Sequence, residues 1–354
     1  MRPVFRTVAL AALLLGCARC WAADDSNASF YANRPVTIYV GFGPGGSASL
    51  YAQALSHHLG RFLPGNPTMT VQHMPGAGGL TVMNYIANTA PRDGTAFAIT
   101  DRTSAFEPLM GNINAKFDGR ELNWLGTANV ENTTCISWYT SPVRTLQDAM
   151  TQELVIGGTG SNATEVIFPK AINELIGTKF RSIIGYAGSN EMDLAMERGE
   201  LQGNCGLGWT LIKNRHPDWL ANKKINILFQ MAMEKHPDLP DVPLITDYAK
   251  TPDDRKIFEF LFAPQKMGRP FFAPPGVPAD RVTALRDAFS RTLQDPQFLA
   301  EAARLGLEVQ LVAGADVQQI VESLYATPPE LLARVRNIAT SQAAASNTPA
   351  TTLR

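Results

Sequence analysis

The chain has 354 residues, 45% of them hydrophobic and 18% charged, with 28 Gly, 24 Pro and a formal net charge of −1. That length suits two domains, and the composition excludes intrinsic disorder, collagen-like repeats and coiled coils. The balanced charge and the lack of a long basic run give no face for nucleic acid and none for a membrane surface.

The first residues read as a secretory signal. Arg2 and Arg6 precede an apolar run over residues 8–16, too short to span about 30 Å of hydrocarbon as a helix. Cys20-Trp21-Ala22 places small residues at −3 and −1, so cleavage is expected after Ala22. A lipid anchor on Cys17, in Leu14-Leu15-Gly16-Cys17, is the competing reading. Cleavage after Ala22 removes Arg2, Arg6 and Arg19 and takes the formal charge to −4. Two cysteines then remain, Cys135 and Cys205, with no Cys-x-x-Cys and so no indication of zinc or a thioredoxin-like motif. In an exported chain they are expected to form a disulfide.

Beyond the signal, strands and helices alternate. Val36 to Val40 is β-rich and runs into a glycine loop. From Ser47 the period becomes helical, with Tyr51, Leu55, Leu59 and Phe62 on one face. A strand starts at Met69, a helix carries Leu80, Met83, Ile86 and Ala87, and a third strand covers residues 96–99. This series predicts parallel strands with right-handed crossovers. A similar series restarts near residue 130, with strands at 135–138 and 154–156, a helix from Leu146, and a second helix between an Asn162/Glu165 cap and a stop at Gly177. A third region opens at Phe271, and Val282, Leu285, Phe289 and Leu293 form a late amphipathic helix. Residues 341–354 read as a loose tail.

The glycine loops carry the chemistry. Gly41-Phe42-Gly43-Pro44-Gly45-Gly46 fits G-x-G-x-x-G between a strand and a helix, the pattern of a nicotinamide-dinucleotide site. Pro44 removes one N–H from that cradle, and the second strand ends Val71-Gln72-His73-Met74 with no acid for a ribose hydroxyl. Without a nucleotide the physics remains: glycines let backbone N–H groups approach an anion, and a helix N-terminus is positive. Gly76-Ala77-Gly78-Gly79 repeats the arrangement, and residues 157–162 repeat it in the second half. These loops are expected to hold a small carboxylate through Phe42, Gly43, Gly45, Gly46, Ser47 and Ser49, through Gly76, Ala77, Gly78 and Gly79, and through Thr159, Gly160, Ser161 and Asn162. Thr100 and Arg102 follow the third strand at the same edge, where Arg102 either anchors a carboxylate or pairs with Asp101.

These pieces resemble, in order, the Bug family, the periplasmic substrate receptors of tripartite tricarboxylate transporters. Phe42-Gly43-Pro44-Gly45-Gly46 is similar to the family's [FY]-x-P-G-G, and residues 73–79 to its N-x-P-G-A-G-G. Ala90 to Gly94 matches the start of A-P-x-D-G-x-T. Gly158-Thr159-Gly160-Ser161 matches G-x-G-S, and the segment from Tyr186 to Ser189 matches Y-x-G-x. Leu239-Pro240-Asp241-Val242-Pro243 and the Pro-rich stretch from Ala273 to Pro278 complete the series, so the resemblance covers residues 35–336. It implies an α/β type II periplasmic-binding-protein fold, with two α/β lobes joined by crossing strands around a ligand cleft. The lobes would comprise residues 33–128 with 259–340, and 129–258. It further implies a monomeric, cofactor-free receptor that hands a di- or tricarboxylate or an aromatic acid to membrane permease subunits, with Tyr186 in the site and no catalysis. Two positions depart from the family: Ser49 stands where it has Asp, and His73 where it has Asn.

Enzymatic alternatives find little footing. There is no G-x-S-x-G elbow and no H-E-x-x-H, and Ser161, His57 and Asp101 have no triad spacing. Adjacent helical residues point about 100° apart, so His57 and His58 are expected to be solvent-exposed rather than to share a metal. Trp138 and Trp209 are expected to pack in the core. The enzyme that remains as an alternative is a nicotinamide-dependent oxidoreductase using the 41–46 loop.

Overall fold

A computed structural model describes residues 26–160, 163–186 and 188–340. The expected signal segment, the tail, Ser161 and Asn162 lie outside them. The described residues form two compact units, one of residues 26–130 with Lys266–Ala326, the other of Glu131–Gln265 with residues 327–340. Its strands are β1 (Val36–Val40), β2 (Met69–His73), β3 (Ala96–Ile99), β4 (Asn123–Thr127), β5 (Thr133–Trp138), β6 (Leu154–Gly158), β7 (Phe180–Ile184), β8 (Gly203–Gly208), β9 (Ile225–Met231), β10 (Pro270–Ala273) and β11 (Val312–Ala313).

The first unit holds a six-stranded sheet in the order β11-β4-β10-β3-β1-β2. β1 pairs in parallel with β2 and β3, as the alternating series predicts. β10 runs antiparallel to β3 and β4, so the sheet as a whole is mixed. The helix Ser47–His58 buries Tyr51 and Leu55, the next turn buries Leu59, and Phe62 packs against the same core. Val282, Leu285, Phe289 and Leu293 of the helix Ala279–Gln294 join that core. His57 and His58 are not two free surface groups. Both reach Glu301 of the helix Pro296–Arg304, at 2.8 and 2.6 Å, and His58 is 9% exposed. One carboxylate with two oxygens accepts both rings although they diverge around the helix.

The second unit holds a five-stranded sheet, β7-β6-β8-β5-β9, with β6 parallel to β7 and β8 and β5 antiparallel to β8 and β9. Cys135 of β5 and Cys205 of β8 are disulfide-bonded. Trp138, Trp209 and Trp219 are buried in this unit's core. The helix Thr164–Ile176 stops at Gly177, whose φ of +88° suits glycine. Its N-cap is Ala163, and Glu165 turns to Thr159. The last helix, Pro329–Thr340, packs on the helices Thr164–Ile176 and Pro252–Phe262, and Arg334 meets Asp254 at 2.7 Å. Residues 259–265 and 327–340 therefore belong to the second unit, where the expected boundaries gave them to the first.

Candidate functional site

β3, β1 and β2 are parallel neighbours, so their carboxyl ends share one edge of the first unit's sheet, and three loops leave it. In the first loop the Gly41 N–H donates to Ile99 O at 3.0 Å. Gly43, Gly45 and Gly46 are exposed, with open space where a Cβ would stand, and Gly45 has a φ of +88°. Gly46 is the N-cap of the helix Ser47–His58, without a side-chain cap and without an acid in the first turn. The first helical N–H to find a backbone acceptor is Leu50's, to Gly46 O at 3.0 Å. The preceding N–H groups have no intrahelical acceptor and form the positive end of the helix, where Ser47 is exposed.

The second loop is coiled by four successive positive φ values, +148° at Gly76, +46° at Ala77, +64° at Gly78 and +97° at Gly79. Gly76, Ala77 and Gly78 are exposed, and Ser104 Oγ donates to Gly78 O at 3.0 Å, stitching this loop to the third. Gly79 is buried, and a side chain there would strike Thr100 Oγ1. Thr100 is fully buried against Gly41 and Gly79, and Ser49 is fully buried in the first turn of the helix Ser47–His58.

The third loop carries charge. Asp101 accepts from Arg269 Nη1 at 2.9 Å and from the Thr103 N–H and hydroxyl at 2.9 and 2.7 Å. Burial opposes its ionisation, but the Arg102 and Arg269 guanidinium groups and the Thr103 bonds outweigh it and hold the carboxyl at about 2. Arg102 stands 4.0 Å from the same carboxylate with its side chain 11% exposed, and its buried Nε has no hydrogen-bond partner. The edge thus gathers exposed glycine backbone and an arginine with an unbonded Nε.

The second unit's loop differs. Thr159 donates through both N–H and hydroxyl to Glu165 Oε1, at 3.0 and 2.6 Å. An internal carboxylate already occupies the donors expected for a ligand, while Gly160 faces open space. Tyr186 is partly buried against the second core, and burial with nearby Glu200 raises its phenol pKa.

Residues important here that sequence reasoning missed are Arg269, Glu165, Gln53 and the inward-facing side of His73. Arg269 lies 168 residues from Asp101, and no local pattern announces such a pair. Glu165 carried a helix-start signal, but its oxygen goes to Thr159.

With the fold and loops in place, comparison with known proteins is decisive. Residues 51–335 match the model of the tripartite tricarboxylate transporter family receptor, TctC. The chain belongs to that family. TctC proteins are periplasmic solute-binding receptors, not enzymes, so the dinucleotide reading of residues 41–46 gives way. Among similar structures is a TctC solute-binding protein from Polaromonas, 18% identical, covering 85% of this chain and 98% of its own, with a TM-score of 0.68. Rpa4515 of Rhodopseudomonas palustris, solved with adipate, is 19% identical over 86% of this chain and 97% of its own, with a TM-score of 0.58. MatC of the same organism, solved with malate, is 18% identical over 86% and 99%, with a TM-score of 0.57. These likenesses establish the two-lobed α/β binding-protein fold.

Proposed function

We propose that this TctC receptor is exported by cleavage after Ala22, binds a small di- or tricarboxylate or an aromatic acid, and delivers it as a monomer to the permease of a tripartite transporter. The carrying observation is Arg102, on the loop stitched to the open glycine loop, with its buried Nε unbonded while Arg269 takes the close hydrogen bond to Asp101. A planar fork next to uncapped N–H groups suits a carboxylate, which takes two parallel charge-assisted bonds from the first and further bonds from the second. That two TctC-like structures were solved with adipate and malate supports the same ligand class. Titration calorimetry of the purified protein with adipate, malate, citrate and benzoate tests the reading, with NADH as the control. Saturable binding of at least one acid and no response to NADH is the expected result. Binding of NADH without any acid would overturn it.

A further inference from the structure

The two departures from the family pattern meet in one hydrogen-bonded chain. His73, the last residue of β2, donates from Nδ1 to the carbonyl of Phe42 at 2.9 Å. Its Nε2 faces the Ser49 hydroxyl at 3.5 Å, and Ser49 Oγ accepts from Gln53 Nε2 at 3.2 Å. A carbonyl oxygen can only accept, so the proton must sit on Nδ1. The donors then run one way, from Gln53 through Ser49 and His73 to Phe42.

The end of that chain fixes a peptide plane. No cis peptide bond is present among the described residues, so the Phe42–Gly43 peptide is trans, and its C=O and N–H point in opposite directions. Drawing the Phe42 carbonyl toward β2 turns the Gly43 N–H away from β2, and Gly43 itself is exposed with open space at its Cβ position. Gly43 matters because the next residue, Pro44, has no N–H to offer.

We infer that His73 is a positioning residue that aims the Gly43 N–H at the bound solute, held in turn by Ser49 and Gln53. Paired Ser and His replace the acid and amide of the family pattern, so the loop is set without a negative charge at its base, which favours an anionic ligand. The inference rests on the carboxylate reading above, and one experiment separates the two. Nitrogen-15 spectra of the ligand-free protein report which ring nitrogen of His73 is protonated, and calorimetry with adipate, malate, citrate and benzoate reports affinity for the wild type, His73→Ala, His73→Asn and Arg102→Ala. Nδ1 protonation is expected. His73→Ala should weaken the acid that binds about tenfold, roughly the loss of one hydrogen bond to a charged group. His73→Asn should recover most of it, because an amide N–H can still donate to Phe42, a rescue that general loop damage would not allow. An Nε2-only proton, or a His73→Ala affinity equal to wild type while Arg102→Ala is weak, overturns this inference and leaves the carboxylate reading intact. A wild type that binds none of adipate, malate, citrate and benzoate overturns both.

Discussion

Arg269 holds Asp101 at 2.9 Å, although Arg102 is its neighbour in sequence and stands at 4.0 Å. A carboxylate between two guanidinium groups engages the one whose backbone brings it into line, and β10, which leads from Arg269, lies antiparallel beside β3. The consequence is that Arg102 pairs with Asp101 only at 4.0 Å and keeps an unbonded Nε at the carboxyl edge of the sheet.

That relationship makes Arg102 and Arg269 separable. Arg102→Ala should weaken carboxylate binding tenfold or more, as expected for a charge-assisted pair of about 1.5–3 kcal/mol. Arg102→Lys should also bind poorly, since an ammonium cannot replace two parallel bonds. Arg269→Ala should weaken binding too, without touching solute, because Arg102 becomes the nearest cation for Asp101. Calorimetry checks all three, and near-wild-type affinities for both Arg102 variants would leave the glycine loops as the main carboxylate holders.

The loop glycines should divide by backbone angle. Gly46 has φ −79° and open space at its Cβ position, so Gly46→Val should fold with little change in melting temperature while the new side chain blocks approach to the helix N–H groups. Gly78 has φ +64°, so Gly78→Val should also cost about 1–2 kcal/mol of stability. Thermal melts with affinity measurements distinguish the two. Unchanged affinity in both would remove these loops from the site.

Asp101 sets an acid limit on stability. Its carboxyl is lowered from 3.8 to about 2 in the fold, so the unfolded chain binds the proton more tightly. The contribution is complete above about pH 5 and is lost as pH falls through about 2, amounting to about 2 kcal/mol. Denaturant melts across that range should show Asp101→Asn losing less stability on acidification than the wild type. Parallel acid limbs would contradict the assignment.

The Cys135–Cys205 bond closes a loop with a sequence separation of 70. Its reduction should destabilise the second unit by about 4 kcal/mol on the chain-entropy scale. Thiol labelling of denatured, unreduced, exported protein should find no free thiol, and two reactive thiols would refute the pairing.

The sequence by itself determined what depends on near neighbours. The 3.6-residue stripe of Tyr51, Leu55 and Leu59 and the late stripe from Val282 to Leu293 predict their buried faces, because periodicity alone decides which side of a helix is apolar. The stop at Gly177 was equally legible, since its backbone angle suits glycine. The order of the glycine and proline motifs carried the family. Only the tertiary structure decided which polar groups remain available. Thr100 and Ser49 look like loop hydroxyls in sequence, yet neighbouring strands and loops bury them. Glu165 reads as a helix cap, yet Thr159 captures its carboxylate, and Asp101 takes its closest guanidinium from a residue far along the chain. Local propensity constrains backbone angles and faces, whereas a charged or hydroxyl group bonds to whatever the fold brings within about 3 Å. That choice of partner leaves Arg102 with an unbonded Nε and His73 holding one of the glycine loops.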